Sequence, residues 1–252
     1  EKKNQSQKDK IYINLNNFFL RLIISLSSKV IIYDYEEKNI IRSSHKFILF
    51  SNSVNSNDYQ FKNTKKQINN KFNLIFIGYL SNWHGIEKII VSIHNYLENN
   101  NKKIKIYFDI YGDTENEYTK KISLLIKDLK LSSYINIHKP IFNLKEIKSK
   151  LKNSHMGIGS LALDKSKSYY RSELKIREYC AAGLPFVYRA NDIDFKNFQF
   201  CINLKSETLN ILDMINWYNS LPNNTPEIMH KFSIEYLDYN IKVKKLIRDL
   251  QI

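Results

Sequence analysis

The sequence of 252 residues predicts an α/β fold, a parallel sheet with helices on both faces. Three observations carry this. From Asn73 to Tyr188, short apolar runs of the buried-strand type alternate with segments whose apolar residues recur every three or four positions. All six glycines lie between Gly78 and Gly183, five of them at the ends of these strands or helices. Hydrophobic residues make up 43% of the chain, enough for a real core and too many for an intrinsically disordered protein.

Residues 1–10 read as a frayed, polar leader. Asn14 to Ser28 is predicted helical from the spacing of Leu15, Phe18, Phe19, Leu22, Ile23 and Leu26. Val30–Tyr33 and Lys46–Phe50 read as strands, and Tyr35–Ser43 as a short helix. Asn52–Asn70 is rich in Asn, Ser and Lys and reads as a linker between domains. Strand Asn73–Tyr79 (NLIFIGY) follows. Gly85 then opens a helix with Ile86, Ile89, Ile90, Ile93 and Leu97 on one stripe. Strands are expected at Ile104–Tyr111, Tyr134–His138, Met156–Leu161 and Phe186–Tyr188, with helices at Glu115–Lys130 and Leu144–Lys152. Ser172 is expected to cap a helix running to Ala182, with Gly183 as its stop. Glu207–Asn219 and Pro226–Leu250 read as helical, the latter with a stripe of Val243, Leu246, Ile247 and Leu250.

The formal net charge is +14, and of the 39 basic residues 33 are Lys and 6 are Arg. A lysine excess of this kind matches AT-rich coding bias better than nucleic-acid recognition, which favours Arg for bidentate contacts. Nucleic acid is therefore not expected as a partner. Attraction to an anionic membrane face or to a phosphorylated small molecule stays open. No stretch reaches the ~20 apolar residues of a membrane span. The polar start, Glu1 to Lys10, does not resemble a signal peptide. Cys180 and Cys201 make neither a disulfide framework nor a metal-spaced pair, and the six histidines are scattered, so no metal site is expected.

Chemistry is expected beyond the carboxyl ends of the strands, where open α/β sheets bind ligands. Gly78, Gly85 and Gly112 sit in such turns, which suits either a ligand cleft or simple tight turning. The first turn, Gly78 to Gly85, is neither a Walker loop nor a GxGxxG turn, and no GxSxG elbow occurs. Its Asn82, Trp83 and His84 lie where a helix start offers amides to an anion; Trp83 also reads as a core plug and His84 as a solvated loop residue. The densest signal is SELKIREYCAAGLP, residues 172–185. Ser172, the first-turn amides and Lys175 suit a phosphate, and Glu178 suits the hydroxyls of a sugar ring. The same spacing also fits surface ion pairs of Glu173 with Arg177 and of Lys175 with Glu178.

Taken together, FIGYLSNWHGIEKII, IYFDIYGD, YINIHKPI, HMGIGSLAL and SELKIREYCAAGLPFVY resemble the C-terminal half of a family 4 GT-B glycosyltransferase. The likeness is closest to the branch encoded with bacterial capsule and surface-polysaccharide genes, and it covers roughly residues 29–250. It implies two Rossmann-like domains and a nucleotide-sugar donor held mainly by the C-terminal one. Residues 1–65 would be the tail of the acceptor domain and its linker, 66–225 the donor domain, and 226–252 a helix crossing back to the first domain. Family members carry two glutamates eight positions apart. Glu178 matches the second, which holds the ribose. The first falls on Tyr170, and Glu173 is taken as its substitute. The family's Arg and Lys of the first turn read here Tyr79 and His84, so charge for the diphosphate is expected from Lys175, with His84 and Lys139 nearby.

The resemblance thus implies a hexosyltransferase-like enzyme with retention at the anomeric carbon, acting on a glycan or lipid-linked acceptor in surface polysaccharide synthesis. Lys175 and Glu173 are the expected catalytic residues. Gly78, Asn82, Trp83, His84, Gly85, Gly112, Lys139, Ser172, Leu174, Lys175 and Glu178 are the expected donor contacts. The donor is a substrate, and no cofactor or metal is expected. The expected location is cytoplasmic, peripheral at the inner face of an anionic membrane. Only 77 residues precede Gly78, so about a hundred residues of the family's N-terminal domain are expected to be missing, and the isolated chain to be inactive. The other readings are a different GT-B enzyme, such as an epimerase or phosphorylase, and a non-enzymatic basic module for anionic lipid or nucleic acid.

Overall fold

The computed structural model describes residues 7–32, 46–59, 61, 64–99, 103–163, 170–204 and 209–250. The predicted helix Tyr35–Ser43 lies outside them. The chain divides into two compact units, Glu1–Phe50 with Lys244–Ile252, and Ser51–Val243.

In the first unit, helix α1 (Gln7–Leu26) is followed by strands β1 (Val30–Ile32) and β2 (Phe47–Leu49). The two strands pair in parallel, Val30 opposite Phe47. The helix begins seven residues before the expected start, because Gln, Lys and Asp are tolerated in a helix. Lys46 Nζ donates to Ser25 O (2.9 Å) and so satisfies a carbonyl in the last turn of α1.

The second unit holds a six-stranded parallel sheet of β3 (Lys71–Ile77), β4 (Lys105–Tyr111), β5 (Ile135–His138), β6 (Met156–Ile158), β7 (Phe186–Tyr188) and β8 (Cys201–Asn203), in the order β5-β4-β3-β6-β7-β8. Its helices are α2 (Ile86–Glu98), α3 (Glu117–Asp128), α4 (Leu144–Asn153), α5 (Leu174–Ala181), α6 (Ile211–Ser220), α7 (Thr225–Phe232) and the start of α8 (Tyr239–Leu250). Phe72, Leu74 and Phe76 of β3 pack with α2, α3 and α6 on one face. Ile75 and Ile77 pack with Leu151 of α4, Ile176 and Tyr179 of α5 and Met229 of α7 on the other. A strand covered on both sides has no solvent face, hence its unbroken apolar run.

The edge strand β8 was not expected from the sequence, and two further stretches differ from expectation. The polar segment 52–70 is not an exposed linker: Val54, Ser56, Tyr59 and Lys65 in it are buried. Lys65 can be buried because its Nζ donates to three carbonyls at the end of α6, those of Tyr218 (2.8 Å), Asn219 (3.0 Å) and Leu221 (2.6 Å). In α8 the expected apolar stripe is only partly covered, and the buried side chain is Lys242. Among the described residues no helix is long and apolar enough to cross a membrane.

The sheet order reverses between β3 and β6. These strands pair only at Leu74–Met156 and Ile75–Gly157, then separate. Tyr179 of α5 fills the opening: its hydroxyl accepts from Ile77 N (3.2 Å) and lies 3.4 Å from Ile158 O, to which it donates. Its ring lies so close to β6 that a Cβ at Gly157 would come within 2.4 Å of it. Gly157→Ala is therefore expected to destabilise the fold by ~1–3 kcal/mol through overpacking, measured as a lower urea midpoint with unchanged slope.

Candidate functional site

The crevice at this reversal, beyond the ends of β3 and β6, is where a doubly wound sheet places its ligand. Gly78 leaves β3 with φ +143°, and its N–H donates to Tyr111 O (3.0 Å). A short helical turn, Asn82–His84, ends at Gly85, whose φ of +62° is left-handed and whose Cβ position is already crowded by Ala162 (2.9 Å). Leu161 N and Ala162 N donate to His84 O (3.0 Å) and Trp83 O (3.1 Å), stitching the loop after β3 to the loop after β6.

His84 is buried in this seam. Its Nδ1 accepts from Ser81 N (3.1 Å), which requires that nitrogen to be unprotonated. Burial first, then the nearby charges of Lys175 and Arg171, push its pKa down to about 2. His84 is thus buried and neutral, neither the solvated loop residue nor the auxiliary charge beside Lys175 that the sequence suggested.

Positive charge stands at the start of α5. Lys175 Nζ lies 4.9 Å from the centre of the Phe76 ring, and its Cε is 3.3 Å from the Cβ position of Gly78. It is held by Glu173 Oε2 (3.1 Å), and both oxygens of that buried carboxylate also accept from Ser160 N at 3.2 Å. Among the described residues, the alternative surface pairs, Glu173 with Arg177 and Lys175 with Glu178, do not form. Nor does Ser172 cap α5: Glu173 occupies the cap position with no side-chain cap bond, and Ser172 Oγ accepts from Asn52 N (2.6 Å). The first-turn amides of α5 therefore have neither an intrahelical acceptor nor a side-chain cap. Arg171, which sequence reasoning passed over, stands over the Trp83 ring at 5.6 Å, and its enclosed Nε has no acceptor among the described residues.

Arg177 is wholly buried behind this helix start. It donates to Asp192 through both Nη atoms (2.9 and 3.0 Å), to Asp194 (2.5 Å), to Glu173 O (3.0 Å) and to Asn52 O (2.6 Å). Lys242 Nζ binds Asp194 and Ser51 Oγ (2.5 Å) on the far side. Burial raises the Asp192 carboxyl and Arg177 only partly offsets it; at Asp194, Arg177 and Lys242 outweigh burial and hold the carboxyl down.

Glu178 lies one turn along α5, half-buried, with Oε1 accepting from the Tyr59 hydroxyl at 3.0 Å. Burial raises its carboxyl, while the Tyr59 bond and then Lys175 pull the other way. Leu174 and Asn82 are exposed at the rim, and Gly112 is buried against Gly78 O. Lys139 is exposed after β5, two strands from β3 and so roughly 10 Å to the side, apart from the Lys175 cluster. Among the described residues no group of three or more His, Cys, Asp or Glu side chains is placed to hold a metal ion.

No protein-family model and no curated protein matches the chain. Solved structures do. A glycosyltransferase from Rickettsia africae superimposes with TM-score 0.72 at 14% identity, over 93% of this chain and 66% of that one. Anabaena HepE, solved with UDP and glucose, gives 0.67 at 14% identity over 100% and 69%. Sucrose-phosphate synthase from Thermosynechococcus elongatus gives 0.68 at 12% identity over 94% and 62%. The fold is of the GT-B type. This chain spans just under two thirds of the length of the Rickettsia and Thermosynechococcus proteins. The GT-B architecture accounts for the sheet order and for the crevice between β3 and β6.

Two outcomes follow. Unfolded His84 takes up a proton near its ordinary value of 6.5, and the folded form only near 2, so stability falls as pH drops through that window. Between pH 6 and 4 the chain should lose about 1.4 kcal/mol per pH unit more than His84→Asn does, read from urea melts at each pH. Arg177→Ala strands the buried Asp192 carboxylate, while Asp194 keeps Lys242, and should cost ~3–5 kcal/mol in the same assay.

Proposed function

We propose that the Ser51–Val243 unit holds a nucleotide-diphosphate sugar at the β3–β6 crevice, as the donor-binding part of a glycosyltransferase. The observation that carries this is Lys175, from the uncapped start of α5, lying against Gly78, with Arg171 over Trp83 of the adjoining turn. A departing diphosphate concentrates negative charge. Preorganised amides and fixed cations stabilise such a charge without reorganising as it develops. Lys175 lies against the glycine turn, and Glu173, anchored to Ser160, holds it in place. Arg171 offers an Nε donor that has no acceptor among the described residues. Glu178 receives the ribose hydroxyls from the side of α5. HepE, solved with UDP-glucose as well as with UDP and glucose, supports a uridine-type donor class for this fold.

In this reading, the other unit, Glu1–Phe50 with Lys244–Ile252, belongs to the acceptor side, and the reaction retains anomeric configuration. The acceptor is a glycan or lipid-linked saccharide of bacterial surface polysaccharide synthesis. The net charge of +14 supports work against the anionic cytoplasmic face of a membrane. Cations of the chain itself neutralise the diphosphate, so donor binding proceeds without a divalent metal.

The test is isothermal titration of the full chain with UDP, GDP and ADP, with and without EDTA. A hydrogen bond to a charged group is worth ~1.5–3 kcal/mol, so Glu178→Gln should weaken binding about ten- to a hundredfold. Lys175→Ala should cost a similar factor, and more for a diphosphate than for the nucleoside. Chelation should leave affinity within a few fold. Unchanged affinity of the Glu178 variant for every nucleotide would remove Glu178 from the site.

A further inference from the structure

Tyr59 contributes a phenol to α5 from a segment whose composition gives no hint of a site. It follows a short turn, Ser56–Asp58, fixed at its start by Ser56 N donating to Asp238 Oδ2 (3.0 Å). Val54 bridges Asp238 in the same place, through Val54 N to Leu237 O (3.0 Å) and Tyr239 N to Val54 O (3.0 Å). The ring is 5% exposed and packs in the cluster that contains Ile77, Tyr111 and Leu151. The hydroxyl therefore has a fixed position, 3.0 Å from Glu178 Oε1.

We propose that Tyr59 is a positioning residue for nucleotide binding: its hydroxyl takes up one oxygen of Glu178, so that the carboxylate is held in one rotamer with the other oxygen directed to the ligand. The proposal rests on the donor-site reading above. A glutamate has three side-chain torsions, and a nucleotide that must order them loses affinity by that entropy. A partner anchored by backbone bonds removes that loss in advance.

The bond also bears on ionisation. The charged and titratable groups around Glu178 are Lys175 on its own helix, Tyr59 and Asp58 from the turn, and Tyr179 beside it; Lys148 of α4 stands 6.0 Å above the Tyr59 ring. Tyr59 and Lys175 favour the carboxylate, and burial opposes it. Removing the hydroxyl leaves Lys175 alone against burial, so Glu178 takes a proton at higher pH and the acid limb of nucleotide binding moves upward.

The experiment titrates UDP into the full chain from pH 5 to 8, for wild type, Tyr59→Phe, Glu178→Gln and the double variant. Phenylalanine keeps the packed ring, and circular dichroism checks that each variant is folded. The ionisation of UDP is common to all four proteins and cancels in the comparison. The expected result is a several-fold weaker Tyr59→Phe at pH 7, with its acid limb displaced upward by about half to one pH unit. Glu178→Gln should lose that limb, and adding Tyr59→Phe to it should change nothing more. Tyr59→Phe with the wild-type affinity and pH profile, while Glu178→Gln is weakened, overturns the positioning role alone. A wild-type chain that binds no UDP, GDP or ADP overturns the donor-site reading and this role with it.

Discussion

The second unit depends on one buried guanidinium. Arg177 gathers into one place the start of α5, the loop carrying Asp192 and Asp194, and the segment at Asn52. A lone charge at such depth would be driven to neutrality or out to water. Here two carboxylates and two carbonyls saturate the fork, and Lys242 balances the second carboxylate from behind. Such a cluster adds little net stability over an apolar core. It does fix geometry, because every donor has one acceptor in one direction. What it fixes is the backbone at Glu173, the residue from which the first-turn amides and Lys175 project.

The β3–β6 reversal sets a second constraint. Strands that separate leave backbone groups unpaired, and in this fold the phenol of Tyr179 supplies the missing partner. The same helix therefore closes the gap between the strands with Tyr179, anchors itself behind with Arg177, sets Lys175 against Gly78, and meets Tyr59 through Glu178. Helical spacing separates these tasks: Ile176, Arg177, Tyr179 and Cys180 are buried, while Leu174, Lys175 and Glu178 keep some exposure.

The loops around the crevice are stitched rather than free. Backbone bonds join the turn at Trp83 and His84 to residues 161 and 162, and Gly78 to Tyr111. The neutral imidazole of His84 completes the seam by accepting from Ser81. Fixed donors of this kind lose little freedom when a ligand arrives, and that is the condition under which weakly charged backbone groups stabilise an anion effectively.

The first five strands of the sheet and the helices between them were legible from the chain alone, because burial on both faces demands unbroken apolar runs such as NLIFI and burial on one face demands stripes such as Ile86, Ile89, Ile90 and Ile93; the short edge strand β8, only partly buried, was not. The likeness of SELKIREYCAAGLP and the Trp-His-Gly turn to GT-B enzymes pointed to the same fold, and the glycines marked the strand ends. The partners of the site's side chains were not legible. Glu173, Lys175, Arg177 and Glu178 sit at spacings that suit local ion pairs, and local spacing cannot show that Arg177 turns inward to Asp192 and Asp194, or that Glu178 meets a tyrosine 119 positions earlier. His84 next to a glycine turn reads as a cation, and only enclosure by Phe76, Trp83 and two neighbouring charges makes it neutral. Segment 52–70 reads as a linker because it is polar; its few buried groups count because distant carbonyls and carboxylates satisfy them. Periodicity reports which face of an element is apolar. Which polar group finds which partner is decided by chain crossings far apart in sequence, and only the tertiary structure contains those.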